Sequence, residues 1–123
     1  MSLTVQTEQR GEMVVVSVAG ELDMATAPQL QDQIGDLLEK GRTRLVFDLA
    51  EVSFCDSTGL SVFVRAKNST DDAGGVVRLA APQRGVLRIL EVSGLVEVLQ
   101  TFPTVDEAVS APEQAAAQPD PAP

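Results

Sequence analysis

Short β-branched runs alternate along this chain with amphipathic stretches of helix length, and that order leaves few folds open. Leu3 to Gln9 alternates, with Leu3, Val5 and Thr7 set against Thr4, Gln6 and Glu8, as a half-buried strand does. Arg10-Gly11-Glu12 supplies a turn. Met13 to Ala19 is almost continuously apolar, as in a strand covered on both faces. The two runs predict a hairpin. Gly20-Glu21-Leu22-Asp23-Met24 then breaks the strand pattern.

A helix follows. Thr26 is placed to cap it, and Pro28 lies in its first turn, where a missing N–H does no harm. Ala27, Leu30, Ile34, Leu37 and Leu38 share one helical face, and Lys40-Gly41 suits its C-terminal end. Further strands are predicted at Arg44–Leu49, Val76–Ala80 and Val96–Phe102. Ala50 to Cys55 reads as a short connection. Helices are predicted from Ser57 to Asp71, from Pro82 to Gly94, and from Thr104 to Ser110. Leu60, Phe63, Val64 and Ala66 face inward on the first of these, and Val86, Leu87 and Leu90 on the second. Thr104 and Glu107 have the spacing of a capping box. The fold class is therefore α/β: an N-terminal β-hairpin, then alternating helices and strands, with a mostly parallel central sheet of five strands and four helices.

The last thirteen residues, Ala111 to Pro123, hold four of the seven prolines, five alanines and no large apolar side chain. They read as a disordered tail, which places one folded domain at 3–110. The N-terminus shows no basic region followed by an apolar run, and no segment is apolar enough to span a membrane. The chain reads as cytoplasmic. Seven Arg against two Lys, with much Ala and Val, points to a GC-rich bacterial genome.

Histidine is absent and cysteine occurs once, so His-based triads, Cys–His pairs, His or Cys-rich metal sites and internal disulfides are excluded. A formal charge of −9 argues against nucleic acid and against an anionic membrane surface. No catalytic residue, metal or cofactor is assigned.

In folds of this class the working residues lie in strand-to-helix loops. The informative loop is Phe54-Cys55-Asp56-Ser57-Thr58-Gly59-Leu60. Ser57 falls on the first turn of a helix, where free N–H groups and the helix dipole favour an anion such as a phosphate. The plainer alternative is that Asp56 or Ser57 simply caps the helix. A hydrolase nucleophile is disfavoured, because Cys55 stands where the elbow motif needs glycine and no histidine is available. Asp23 and Asp56 both follow strands and precede helices, so they are expected at one end of the sheet. There they could bind Mg²⁺ or act as acid and base, though solvated helix-start acids are the commoner case. Gly74-Gly75 is a turn and not a phosphate loop. Cys55 has apolar neighbours and no close cation, as a buried, inert thiol does.

These residues carry a resemblance. Gly20-Glu21-Leu22-Asp23, followed by Thr26-Ala27-Pro28 and Leu30, resembles the first block of the STAS domain, as found in bacterial anti-sigma factor antagonists. Asp56-Ser57-Thr58-Gly59-Leu60 resembles that family's phosphorylation motif, and Val92-Ser93-Gly94-Leu95 is similar to a third family segment. The similarity spans residues 3–110 and implies a STAS-like fold. It also implies that the unmodified protein binds an anti-sigma factor, a serine kinase of the histidine-kinase-like ATPase type, and so frees a sigma factor. Phosphorylation of Ser57 would release the kinase, and a metal-dependent serine phosphatase would reset the switch. Asp23, Asp56, Thr58, Gly59, Leu60 and Ser61 would touch the partner or neighbour the phosphate. The motif's sixth position is often Gly, whereas this chain has Ser61, and Thr58 is a second candidate acceptor. Within the same family, a scaffold or sensor subunit of a stressosome-like or transport-accessory complex is the alternative.

Overall fold

The computed structural model describes residues 2–112. Strand β1 (Leu3–Arg10) and strand β2 (Met13–Leu22) pair antiparallel, with Leu3 opposite Gly20 and Arg10 opposite Met13. There follow helix α1 (Ala27–Glu39), strand β3 (Arg44–Cys55), helix α2 (Ser57–Asp72), strand β4 (Val76–Ala80) and helix α3 (Arg84–Val92). A 3-10 turn (Leu95–Glu97), strand β5 (Gln100–Phe102) and helix α4 (Val105–Ser110) complete the order. The sheet runs β1-β2-β3-β4-β5, and every pair after the hairpin is parallel. The expected class and strand count hold. Among the described residues no helix is long and apolar enough to cross a membrane.

The strands step across the sheet in one direction. Crossovers of one hand then bring their helices to the same face. The main core shows this: Val14, Val16, Val18, Leu45, Phe47 and Leu79 of the strands pack with Leu30, Phe63 and Leu90 of α1, α2 and α3. Phe47 and Phe63 meet edge to face, with ring centroids 5.1 Å apart. The alternate strand residues Met13, Val15, Val46, Val76 and Ala80 point to the opposite face, where α4 covers them with Ala108.

The chain departs from the sequence expectations at several boundaries. Strand β2 continues to Leu22 instead of stopping at Ala19. Gly20 adopts φ +118° and the pairing with β3 shifts register on either side of it, with the extra residues on β3, so β2 runs through the expected break opposite a bulged partner. A side chain at Gly20 would also collide with the Ser2 carbonyl, 2.3 Å away. Strand β3 correspondingly runs to Cys55, and the segment expected as a connection pairs with β2 from Glu51 to Cys55. Its polar side chains, Glu51 and Ser53, are exposed, which hid the strand from a hydrophobicity reading.

Strand β5 is only three residues, because Gly94 turns left-handed at φ +79° and the chain enters a 3-10 turn first. Helix α3 starts at Arg84 rather than Pro82, after Ala81 at φ +54°. Thr104 accepts the Glu107 N–H at 3.1 Å as expected, but Glu107 accepts from the Thr104 hydroxyl, not from its backbone. The tail expected from Ala111 lies outside the described residues beyond Pro112.

Candidate functional site

The extended strands β2 and β3 end together. Leu22 pairs with Cys55, and the Asp56 N–H donates to the Leu22 carbonyl at 3.2 Å. Asp23 and Asp56 therefore leave the same end of the sheet from neighbouring strands, as their positions predicted. Each carboxylate is engaged by backbone. Asp23 Oδ1 accepts the N–H groups of Ala25 and Thr26 at 2.9 and 3.1 Å. Thr26, expected to cap α1 with its side chain, instead accepts the Asp23 N–H at 3.0 Å and donates to the Glu21 carbonyl at 2.7 Å. Its hydroxyl ties the end of β2 to the start of α1 and is buried there. Among the described residues no three His, Cys, Asp or Glu side chains converge as metal ligands.

At the start of α2 the open question was which residue caps the helix. Asp56 does: it is extended, at φ −103° and ψ −172°, and its Oδ1 accepts the Gly59 N–H at 3.0 Å. Its carbonyl accepts from Leu60 at 3.0 Å. Ser57 is then the first helical residue, and its side chain is exposed with no hydrogen-bond partner among the described residues. One turn on, the Ser61 hydroxyl donates to the Ser57 carbonyl at 3.0 Å. Thr58 is half-buried.

Gly59 and Leu60 are buried, and they hold the start of α2 against the sheet. A Cβ on Gly59 would lie 2.7 Å from Leu22 Cγ, 2.9 Å from Cys55 Sγ and 2.9 Å from the Leu22 carbonyl oxygen. Only glycine lets the helix come this close. Cys55 beneath it is 1% exposed, and burial, followed by the adjacent Asp56 charge, pushes its thiol up to about 12. A protonated buried thiol is inert.

Ser57 stands on a ridge between two grooves. One, of about 270 Å³, lies toward α1 and is lined by Met24, Pro28 and Gln31 together with Ser57, Thr58 and Ser61. The other, of about 450 Å³, lies toward the 3-10 turn and is lined by Leu60, Val64, Ser93 and Leu95 with Ser57 and Ser61. Arg65 borders both. Of the residues expected at the site, Asp56, Ser57, Thr58, Gly59, Leu60 and Ser61 form the start of α2, and Asp23 stands at the same sheet end. Arg65 was missed, although its spacing of four and eight residues from Ser61 and Ser57 puts the three on one helical stripe. Met24, 73% exposed at the mouth of the first groove, was missed as a surface feature.

Comparison with known proteins places this geometry. The STAS domain family model matches residues 4–108. The chain belongs to the STAS-domain family of anti-sigma factor antagonists. It is 32% identical over 99 residues to the anti-sigma-B factor antagonist of Bacillus subtilis, covering 80% of this chain and 90% of that one. Its fold superposes with a TM-score of 0.82 on the crystal structure of an anti-sigma factor antagonist from Mycobacterium paratuberculosis, at 33% identity, over 89% of this chain and 93% of the other. The Bacillus cell fate determinant SpoIIAA, in its phosphorylated form, superposes with a TM-score of 0.68 at 25% identity, over 86% of this chain and 96% of that one.

Proposed function

We propose that this protein is an anti-sigma factor antagonist switched by phosphorylation of Ser57. Unmodified, it binds an anti-sigma factor serine kinase and so releases a sigma factor. The observation that carries the reading is the division of roles at the start of α2. Asp56 caps the helix, which leaves the Ser57 hydroxyl outward and uncommitted between two grooves. The relatives' names and the phosphorylated state of a structural relative support it.

The chain acts here as ligand and substrate, not as catalyst. It has no histidine to activate the hydroxyl, so the base and the nucleotide come from the kinase. The Ser57 oxygen takes the γ-phosphoryl group of ATP, ADP leaves and the hydroxyl proton is lost. The product carries about −1.5 to −2 of new charge. The positive end of α2 tolerates that charge locally. A docked partner does not, because the phosphate sits in the contact ridge beside Asp56 on a chain already at −9. Like-charge repulsion and desolvation of about 3 kcal/mol weaken binding more than 100-fold. The fold does not need to rearrange. A serine phosphatase restores the hydroxyl.

The test is titration of the kinase with four forms of the protein. The unmodified chain and Ser57→Ala should bind with similar affinity, while Ser57→Asp and the phosphorylated chain bind at least tenfold more weakly. Site-resolved mass spectrometry should place the phosphate on Ser57. Modification of Ser57→Ala at an equal rate on one other residue would transfer the switch to that residue, with Thr58 and Ser61 the first to check.

A further inference from the structure

We infer that Arg65 sets partner specificity, by receiving a carboxylate of the anti-sigma factor at the lower end of the contact ridge. The inference rests on the proposed function and concerns the partner's chemistry.

The chain carries 18 acidic and 9 basic residues, so an exposed cation is surrounded by opportunities for pairing. Three half-buried cations take them: Arg10 pairs with Asp106 at 2.9 Å, Lys67 with Asp71 at 2.5 Å, and Arg44 with Glu12 at 3.8 Å, whereas the exposed Lys40, Arg42, Arg84 and Arg88 show no ion pair among the described residues, so it is position that singles out Arg65. Arg65 is exposed too, and among the described residues its guanidinium has no ion pair or hydrogen bond. Lys67, two residues along the same helix, is paired within one turn.

Arg65 is set apart by its position. Ser57, Ser61 and Arg65 follow one another at four-residue intervals, so they form a straight stripe about 12 Å long. Helical side chains lean toward the N-terminus, which carries the guanidinium back toward Ser61 and the groove mouths. Both grooves that flank Ser57 reach Arg65, and so does a third along α1 and α2 lined by Ile34 and Leu38. The groove toward the 3-10 turn offers Leu60, Val64 and Leu95 as its apolar floor. Val92 is 75% exposed on the segment that leads into that turn.

A partner that fits this surface presents an apolar side chain to the groove and an acidic one to Arg65. A planar guanidinium holds a carboxylate through two parallel hydrogen bonds, so the pair fixes orientation as well as sign. Because the rest of the chain is acidic, this contact discriminates against partners whose facing surface is basic at that point.

The experiment uses the full chain and the kinase that binds it and phosphorylates Ser57. Affinity is measured for wild type, Arg65→Lys, Arg65→Ala and Arg65→Glu at low and at high salt. We expect Arg65→Glu to bind about tenfold or more weakly at low salt, with the difference shrinking at high salt. Arg65→Lys should keep most of the affinity, and Arg65→Ala should fall between. Thermal unfolding of all four should coincide, since the residue is exposed. Reversing one Asp or Glu of the kinase to Lys should restore binding to Arg65→Glu, which a merely structural role would not allow. Equal affinity of wild type and Arg65→Glu would overturn the inference and leave the Ser57 switch standing. A dimer of the free chain that Arg65→Glu dissolves would assign the cation to a second copy, also overturning it. Failure of wild type to bind any such kinase would remove the proposed function, and this inference with it.

Discussion

Gly59 shows how much of the site depends on one missing atom. Its Cβ position is ringed by Leu22 and Cys55, both almost fully buried, and by a backbone carbonyl. None of these can swing into solvent, so Gly59→Ala must push α2 away from the sheet. Alanine is the better helix former by about 1 kcal/mol. Overpacking of a closed site costs about 1–3 kcal/mol, which outweighs that gain. We expect Gly59→Ala to be destabilised by up to about 2 kcal/mol and to be phosphorylated more slowly, because Ser57 rides on the displaced turn. Gly35 is the internal control. It lies within α1 with nothing inside 4 Å of its Cβ position, so Gly35→Ala should stabilise the protein by about 0.5–1 kcal/mol. Urea denaturation of both variants decides the matter: if Gly59→Ala were also stabilising, α2 would not be held at close contact. The same residue marks what the sequence reading could see. It placed the loop, the helix start and Ser57, but left the cap undecided between Asp56 and Ser57. Only the extended backbone of Asp56 and its bond to the Gly59 N–H resolve that choice.

Among the helices, α4 is the shortest and leans on a single side chain of the sheet. It has six residues and buries only Ala108. Arg78 of β4, 1% exposed, reaches it and donates from Nη1 to the Ala108 carbonyl at 2.7 Å. That carbonyl is in the last turn, where helix acceptors lack a partner within the helix. Arg78 also donates from Nε to Gln100 at 3.1 Å and lies 5.7 Å from the centre of the Phe102 ring. The arginine thus joins β4, β5 and the C-terminal end of α4, where a positive charge suits the helix dipole. Arg78→Met should strand the Ala108 carbonyl and cost about 1–3 kcal/mol. Hydrogen exchange should show the loss concentrated at α4 and β5, with β2 and β3 protected as before; uniform loss across the sheet would refute this anchoring role. Elements of this kind explain where the sequence was legible. Helices α1 and α2 declare themselves by a one-sided apolar face, and β4 by an unbroken apolar run. The outer halves of β2 and β3 do not. Gly20 reads as a stop until its pairing with Val52 of β3 is seen, and Glu51 and Ser53 read as loop because they face solvent. Strand β5 errs in the other direction, since Val96 and Val98 look like a strand but belong to the 3-10 turn and its exit.

For the molecule as a whole, composition turns one buried group into a probe of global stability. The chain contains no histidine, no tyrosine and two lysines. Ordinary lysines ionise at ~10.4 and the terminal amine at ~7.7–8, so Cys55 is the side chain whose charge changes most in the unfolded state from pH ~8.5 to ~10. In the folded protein its thiol stays protonated up to about 12, first because it is buried and then because Asp56 is adjacent. Across this window the unfolded chain binds fewer protons than the native one, so stability must fall as pH rises. The stabilising contribution is complete below the unfolded value near ~8.5 and is lost progressively toward the folded value of about 12. The slope can reach about 1.4 kcal/mol per pH unit. Urea midpoints of the wild type between pH 8 and pH 10 should therefore decline. Cys55→Ala, which removes the group, should start lower because of its small cavity and then stay flat over the same range. Parallel slopes in the two proteins would show that Cys55 ionises equally in both states and is not buried as described. The proposed function adds a consequence. Cys55 directly precedes Asp56 and Ser57, so a thiolate formed there would place a charge under the start of α2 and oppose its seating. Keeping that residue uncharged and apolar preserves the geometry on which the proposed Ser57 switch depends, and Cys55→Ala should retain kinase binding where Cys55→Asp loses both fold and binding.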